Sequence, residues 1–195
     1  MTQASGPLAA YRVLDLTDAR GILCGKILGD LGADVVRVEP PAGNPARREG
    51  PFAGEAPDPE RSLYWWAYAE NCRSLVADLG TPEGVARVRD LGRRADFLLE
   101  SFPPGYLDGL GLGWEALHRD NRHLILTSIS AFGYSSPYRD WKGPDLIVQA
   151  MSGMMFHLGD GDRPPVRIGV PQAYLQAAGQ AAVGTLVAHH WREQT

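Results

Sequence analysis

The sequence has little cysteine and no long hydrophobic run. Its two cysteines, Cys24 and Cys72, lie neither in a C-x-x-C pair nor beside histidines at ligand spacing, so we expect both to be reduced. No stretch approaches the roughly eighteen apolar residues that span a bilayer. The first residues, MTQASGPLAAYR, lack the basic and then apolar pattern of a signal peptide. These absences predict a cytoplasmic protein with no membrane partner.

An excess of positive charge is also missing. The net charge is -4, which gives no long-range attraction for nucleic acid, so nucleic acid is not an expected partner. An anionic ligand would have to be held by a local cluster of arginines and backbone amides. At 195 residues, 44% hydrophobic and 22% charged, the chain has the composition of an ordinary globular protein with one substantial core.

Motifs for metals and nucleotides are absent as well. The histidines are isolated or, at His189 and His190, adjacent and so about 100° apart on a helix, which is unsuited to a shared metal ion. The segment 160–162 (DGD) lacks the further oxygen ligands of a calcium loop. The glycines at 109–113 (GLGLG) miss the G-x-G-x-x-G spacing, and the segment 20–27 misses two positions of a Walker loop. We therefore predict no metal site and no dinucleotide fingerprint.

Short apolar segments alternate with stretches at helical spacing along the chain. This alternation predicts an α/β fold with an open, mainly parallel, Rossmann-like sheet and helices on both faces. Strands are predicted at 11–16, 34–39, 74–79, 96–100 and 124–129, and helices at 21–29, 81–95, 145–155 and 171–192. The segment 43–60, rich in proline, glycine and alanine, is predicted to be an extended surface loop.

Four arginines follow the predicted strands or lie near their carboxyl ends, where an open parallel sheet binds its ligands. For each of them singly, solvated surface charge remains the alternative. The residues are Arg37, Arg47, Arg48 and Arg73.

Four segments, taken in order, carry a resemblance to a known family. They are LGADVVRVEPPAG at 31–43, NCRSLVADLGTPEG at 71–84, ESFPPGYLDGLGLGW at 100–114 and GPDLIVQAMSG at 143–153. Their order and spacing resemble the N-terminal half of the class III CoA-transferases, the CaiB/BaiF group that also contains the alpha-methylacyl-CoA racemases. The resemblance runs from Tyr11 to about Arg192.

This resemblance implies a site for coenzyme A or an acyl-CoA at the carboxyl edge of the sheet. The implied contacts are the first loop, formed by Asp18, Ala19, Arg20 and Gly21, together with Arg73 and Lys142. Some relatives also present an arginine where this chain has Gly109, so fewer phosphate contacts are expected here.

The resemblance also locates the catalytic position. Family members use an aspartate carboxylate that attacks a thioester and forms a mixed anhydride with the acyl group. Counting back from Val183 and Gly184 places Tyr174 at that position, and a tyrosine with an ordinary pKa near 10 is neutral at pH 7. The racemase branch needs a histidine where this chain has Pro144. Asp145 is the remaining carboxylate nearby, with a structural role as a helix cap as its alternative.

Two functions therefore stay open. One is a CoA-transferase that moves CoA between an acyl-CoA and a carboxylic acid. The other is a non-catalytic, CoA-binding subunit or pseudoenzyme that supports an active homologous or complementary chain, with a truncated gene product as a more distant third. By resemblance, residues 1–195 correspond to the N-terminal part of the family's large domain, and the second, small domain is absent. Relatives form interlocked dimers, which a half-length chain cannot make.

Overall fold

The computed structural model describes residues 6–195 and contains a single parallel sheet. Its strands are β1 (Arg12–Leu16), β2 (Asp34–Glu39), β3 (Cys72–Val76), β4 (Phe97–Glu100) and β5 (Ile125–Ser128). They are arranged in the order β3-β2-β1-β4-β5, and each neighbouring pair is parallel. The predicted α/β fold is confirmed, and the sheet is parallel throughout the described residues rather than only mainly so.

The strand order reverses at β1. The chain proceeds from β1 through β2 to β3 on one side, then crosses back to β4 and β5 on the other. In open α/β sheets, ligands bind in the crevice outside the carboxyl ends of the strands at such a reversal. The topology therefore predicts a ligand site at the loops that follow β1 and β4.

Helices cover both faces of the sheet. They are α1 (Ile22–Asp30), α2 (Leu63–Tyr68), α3 (Pro82–Gly92), α4 (Tyr106–Gly109), α5 (Trp114–Asp120), α6 (Asp145–Met151) and α7 (Gln172–Gln194), with 3-10 turns at Pro45–Arg48 and Met154–His157. The predicted helix at 145–155 is thus shorter than expected, because Gly153 has a positive φ of 79° and separates α6 from the following 3-10 turn. The predicted loop at 43–60 contains the first of these turns.

Side chains of alternating strand residues form two separate cores. Val13 and Phe97 pack with α1 and α7, whereas Leu14 and Leu98, one position later, pack with α3 and α5 on the opposite face. Full burial of such a side chain contributes about 1.5–3 kcal/mol. The inner strands β1, β2 and β4 are largely buried between these helices, as is usual for a parallel sheet, whereas the outer strands β3 and β5 are partly exposed.

The long helix α7 has two contrasting sides. Ala178 and Ala182 are buried in the core that α7 shares with α1. On the other side, Val183, Val187 and Trp191 are 55%, 63% and 70% exposed at a spacing of four residues. Small side chains thus allow close packing on the sheet side, and an apolar stripe lies on the outside. Among residues 6–195, no helix has both the length and the apolar content to cross a membrane.

Candidate functional site

A cleft lies along the carboxyl edge of the sheet, as the strand order suggests. Its largest part has a volume of about 720 Å³ and is bounded by the first loop, the segment after β4 and residues 139–144. A second cavity of about 220 Å³ adjoins it over the ends of β1, β2 and β3, and Arg20 lines both. A third cavity, of about 40 Å³, lies behind Tyr174. Its lining residues are Arg20, Ile129, Ser130, Ala131, Val148, Ala173, Tyr174 and Ala177.

The first loop is held by hydrogen bonds around Asp18. The Asp18 carboxylate accepts from the Arg20 backbone N–H at 2.9 Å, from Arg20 Nη2 at 2.7 Å and from the hydroxyl of Ser101 at 3.0 Å. The hydrogen bond from Arg20 to Asp18 raises the pKa of Arg20. At Gly21, an added Cβ would lie 2.7 Å from Thr17 Cγ2 and 2.8 Å from Ile129 Cδ1, so a side chain there would displace the loop. Asp18, Ala19 and Arg20 all line the largest cavity.

A second polar network fixes the wall on the other side of this loop. Glu39, at the end of β2, accepts from Arg47 Nε at 2.6 Å and from the backbone N–H of Asn44 at 2.9 Å. Asn44 in turn donates to the Thr17 carbonyl at 2.8 Å, which joins this wall to the first loop. Burial opposes the ionisation of Glu39, but the hydrogen bonds from Arg47, Ser74 and Asn44 outweigh it and lower its pKa to about 2. The segment after β2 is therefore anchored by a carboxylate that stays charged.

Beneath the loop lies a buried ion pair. Arg37 Nη2 donates to Asp15 Oδ2 at 2.7 Å, and neither side chain is more than 1% exposed. Arg37 also donates to the Ile22 carbonyl at 3.1 Å, while Asp15 accepts from the Thr17 backbone N–H at 2.9 Å. A buried ion pair adds little net stability, because the cost of desolvating both charges offsets their attraction. Its hydrogen bonds hold β1, β2 and the start of α1 in a fixed arrangement. Arg37, predicted to lie near the ligand edge, therefore orients the loop from below and is closed off from solvent.

The indole of Trp65 completes this support. The Arg47 guanidinium carbon lies 4.1 Å from the centre of the Trp65 ring, and that of Arg37 lies at 5.5 Å. A buried cation–π contact of this kind contributes about 0.5–2 kcal/mol. Trp65 belongs to α2, which the sequence patterns did not predict, although Ser62 caps it by accepting from the Trp65 backbone N–H at 3.0 Å.

Tyr174 lines the largest and the smallest cavities, and its surroundings keep it neutral. Burial raises the pKa of its phenol above the ordinary value of 10, and the hydroxyl donates to the Gly143 carbonyl at 3.4 Å. Its backbone N–H donates to Asp145 Oδ1 at 3.1 Å. The other oxygen, Asp145 Oδ2, accepts from the buried amide of Gln149. Asp145 Oδ1 therefore joins α6 to the start of α7, whereas Oδ2 makes a contact within α6.

Cationic side chains are spaced along the cleft. Arg20, Arg139 and Lys142 line the largest cavity, together with the acidic residues Asp18, Glu49 and Asp140. The Lys142 side chain is exposed, beside Trp141. Arg20 pairs with Asp18 and Arg139 pairs with Asp140, whereas Lys142 forms no ion pair among residues 6–195. Among residues 6–195, no cluster of three or more metal-ligating side chains occurs.

Arg73 does not join this cleft, and the prediction of its convergence with the first loop is wrong. Strand β3 begins at Cys72, two residues before the predicted start, so Arg73 lies near the amino end of the strand opposite Val36. There it forms a two-pronged ion pair with Asp34, at 2.7 Å, and lines a separate cavity of about 330 Å³. Arg73 therefore lies near the amino ends of the strands, on the opposite side of the sheet from the cleft.

Several cleft residues were not predicted from the sequence. Phe102, Pro103 and Pro104 follow β4, and Ser130 and Ala131 follow β5. Their chemistry gives no signal, because a proline or an alanine in a loop is unremarkable. Their position does give a signal, because these residues lie in the loops that follow two strands on one side of the reversal in strand order.

Comparison with known proteins gives a family match over most of the chain. The sequence model described as "CoA-transferase family III" matches residues 8–195. The chain is 44% identical over 191 residues to the succinyl-CoA–D-citramalate CoA-transferase of Chloroflexus aurantiacus, covering 97% of this chain and 46% of that protein. It is also 44% identical over 179 residues to subunit BbsE of the succinyl-CoA:(R)-benzylsuccinate CoA-transferase of Thauera aromatica, covering 91% of this chain and 43% of that protein.

A solved structure agrees with these matches. The crystal structure of a CAIB/BAIF family protein from Brucella suis superposes with a TM-score of 0.90 at 36% identity, covering 97% of this chain and 50% of that one. The chain thus spans about half the length of the curated relatives it matches.

Proposed function

Because the chain belongs to CoA-transferase family III, we propose that it binds CoA or an acyl-CoA in the cleft and takes part in CoA transfer between an acyl-CoA and a carboxylic acid. The observation that carries the proposal is the position of Asp18, Ala19, Arg20 and Lys142 around one cavity of about 720 Å³. The loops that follow β1, β4 and β5 all contribute residues to the wall of this cavity. Arg139 and Lys142 can pair with the phosphates of CoA, and Phe102 and Trp141 offer apolar surface.

The names of the relatives support a class of acyl group. The Chloroflexus enzyme is named for succinyl-CoA and D-citramalate, and the Thauera subunit for succinyl-CoA and benzylsuccinate. Succinate, citramalate and benzylsuccinate each carry two carboxylates. We propose the same class here, an acyl-CoA whose acyl chain ends in a second carboxylate.

A second candidate function is favoured by Tyr174. Transfer through an anhydride needs an ionised carboxylate that attacks the thioester carbonyl and releases the CoA thiolate. Tyr174 is neutral at pH 7, since burial raises its pKa, and would give an aryl ester in place of an anhydride. Asp145 is occupied by Tyr174 and Gln149. The chain would then be a non-catalytic subunit that binds CoA beside a homologous or complementary chain, and the Thauera relative is itself named as a subunit.

One experiment separates the two functions. The folded chain is first titrated with CoA by calorimetry, and heat that saturates at millimolar CoA or below is expected. It is then incubated with succinyl-CoA and hydroxylamine, which converts an acyl-carboxylate anhydride to a hydroxamate on the attacked residue. No hydroxamate is expected for the chain alone. A hydroxamate on any carboxylate would support transfer by this chain itself, and absence of CoA binding would overturn both candidates.

A variant tests the position of the nucleophile. Tyr174→Asp places a carboxylate at the start of α7, and the expected result is weak hydrolysis of succinyl-CoA by this variant, with Tyr174→Asn as the matched neutral control. Addition of a full-length relative that lacks its own nucleophile would show whether the variant can serve in an assembly. Equal hydrolysis by the Asn and Asp variants would contradict the placement of the reacting group at residue 174.

A further inference from the structure

We infer that Arg20 is the specificity-determining residue that recognises the free carboxylate at the far end of the acyl chain, so that the cleft selects dicarboxylic acyl-CoA substrates. This inference rests on the proposed function, since it assumes that an acyl-CoA occupies the cleft. It assigns to one side chain a role distinct from binding the CoA phosphates.

The guanidinium of Arg20 is fixed on one edge and available on another. Nε lies 2.9 Å and 3.0 Å from the two oxygens of Asp18, and Nη2 lies 2.7 Å from Oδ2. Within residues 6–195, Nη1 donates no hydrogen bond to a protein group, and the side chain is 32% exposed. An arginine has two forks suited to a carboxylate. Asp18 occupies the Nε fork, which leaves the Nη1–Nη2 fork for a ligand.

Hydrogen bonds to Asp18 fix the orientation of the Arg20 guanidinium. Ser101, which follows β4, donates to Asp18 Oδ1 at 3.0 Å and accepts from the Asp18 backbone N–H at 2.9 Å. The carboxylate that holds Arg20 is thus itself held from a neighbouring strand. A ligand finds a preorganised cation and does not have to order a flexible side chain, which reduces the cost of binding.

The cavity behind Tyr174 has the matching shape and polarity. Its walls are mainly aliphatic side chains from α6, α7 and the end of β5, including Ile129 and Val148, and Arg20 is its one charged lining residue. Its volume of about 40 Å³ exceeds the roughly 10–15 Å³ that one water needs, so it admits a few atoms of a chain. It shares Arg20, Ser130 and Tyr174 with the large cavity, so a chain can enter from there. An apolar wall beside one cation suits a short aliphatic chain that ends in a carboxylate.

The test compares two thioesters of equal chain length. Succinyl-CoA ends in a carboxylate and butyryl-CoA ends in a methyl group, so the ratio of their dissociation constants reports recognition of the carboxylate alone. A hydrogen bond to a charged group predicts that the wild-type chain binds succinyl-CoA about tenfold more tightly than butyryl-CoA in calorimetry. Arg20→Gln should bring this ratio to about one. Arg20→Lys, which keeps the charge and loses the fork, should give an intermediate ratio.

The matched control is Arg139→Gln, which removes a cation from the large cavity but not from the small one. Its ratio should stay near the wild-type value, whatever happens to the absolute affinities. Equal affinities for the two thioesters in the wild type would overturn the inference while CoA binding, and hence the proposed function, survives. So would a ratio that persists in Arg20→Gln and Arg20→Lys, or one that Arg139→Gln abolishes equally. Failure of CoA itself to bind would overturn the proposed function and this inference together.

Discussion

Asp145 offers a quantitative test of how the cleft is assembled, because its carboxylate joins α6 to the start of α7. Helix α7 begins after Pro171, whose ring offers no hydrogen-bond acceptor to cap the helix. Asp145 of α6 supplies this cap, because its carboxylate accepts from the Tyr174 backbone N–H. Loss of a helix cap costs about 0.5–2 kcal/mol. The other carboxylate oxygen accepts from the Gln149 amide, and Gln149 is fully buried. Gln149 Nε2 also donates to the Val170 carbonyl at 3.5 Å, so loss of Asp145 leaves one of its two N–H groups without a partner, at a cost of about 1–3 kcal/mol.

The expected loss in Asp145→Ala is therefore about 2–3 kcal/mol in the free energy of unfolding, since the two effects overlap. Asp145→Asn should cost about 1 kcal/mol, because its amide oxygen can still accept from Tyr174 while its NH₂ meets the Gln149 NH₂. Rotating the Gln149 amide would relieve that contact but break the bond from the Ile168 N–H to Gln149 Oε1 at 3.3 Å.

The assay is equilibrium urea unfolding followed by circular dichroism, with the denaturant slope checked for constancy. Asp162→Ala is the matched control, because Asp162 is an exposed acid in the loop between the Met154–His157 turn and α7, and it should stay within about 0.5 kcal/mol of wild type. Equal stability of Asp145→Ala and the control would refute the cross-helix cap and would reopen Asp145 as a free carboxylate.

Three other features give testable expectations. Because the folded pKa of Glu39 is lowered to about 2, its contribution to stability is present above the unfolded pKa of about 4.3 and is lost as pH falls toward 2; the deficit of Glu39→Gln in urea unfolding should be smaller at about pH 3 than at about pH 6, and a deficit independent of pH would contradict this. Burial raises the pKa of Cys24 to about 12 and that of Cys72 to about 11, so a disulfide reagent at about pH 8 should label both thiols slowly in the folded chain and fast in urea; rapid labelling of the folded chain would count against the packing. The exposed stripe on α7 should cause self-association at tens of micromolar in sedimentation and be weakened by Trp191→Glu, and a strictly monomeric wild type would show the stripe to be inert.

The elements that local chemistry specifies were predicted closely. Strand β2 was predicted with its observed bounds, because three valines lie within Asp34–Glu39 and Pro40 ends the ladder. Helix α3 starts where expected, since the Thr81 hydroxyl accepts from the Gly84 backbone N–H at 3.1 Å. Helix α2 was missed because LYWWAY has no polar spacing that distinguishes a helix from a strand, and its stability depends on contacts with distant arginines.

The site was predictable only where sequence position determines location. The loop at Asp18 follows β1 directly, so its place at the carboxyl edge of the sheet could be predicted from the order of elements. Arg73 could not be placed, because a shift of two residues in the start of β3 moves it toward the other end of the sheet. The cross-helix role of Asp145 depends on the packing of α6 on α7, which no local pattern encodes.

The tryptophans give the cleft a built-in optical signal. Of the five in the sequence, Trp65 is 9% exposed and lies between two guanidinium groups, whereas Trp141 is 58% exposed on the wall of the largest cavity. A dissolved collisional quencher such as acrylamide should reach the indole of Trp141 and not that of Trp65. A molecule that fills the cavity would shield Trp141, so the fraction of emission open to quenching would decrease in proportion to occupancy. Fluorescence from the unlabelled chain can thus report how full the cleft is, and Trp141→Phe identifies which indole carries that report.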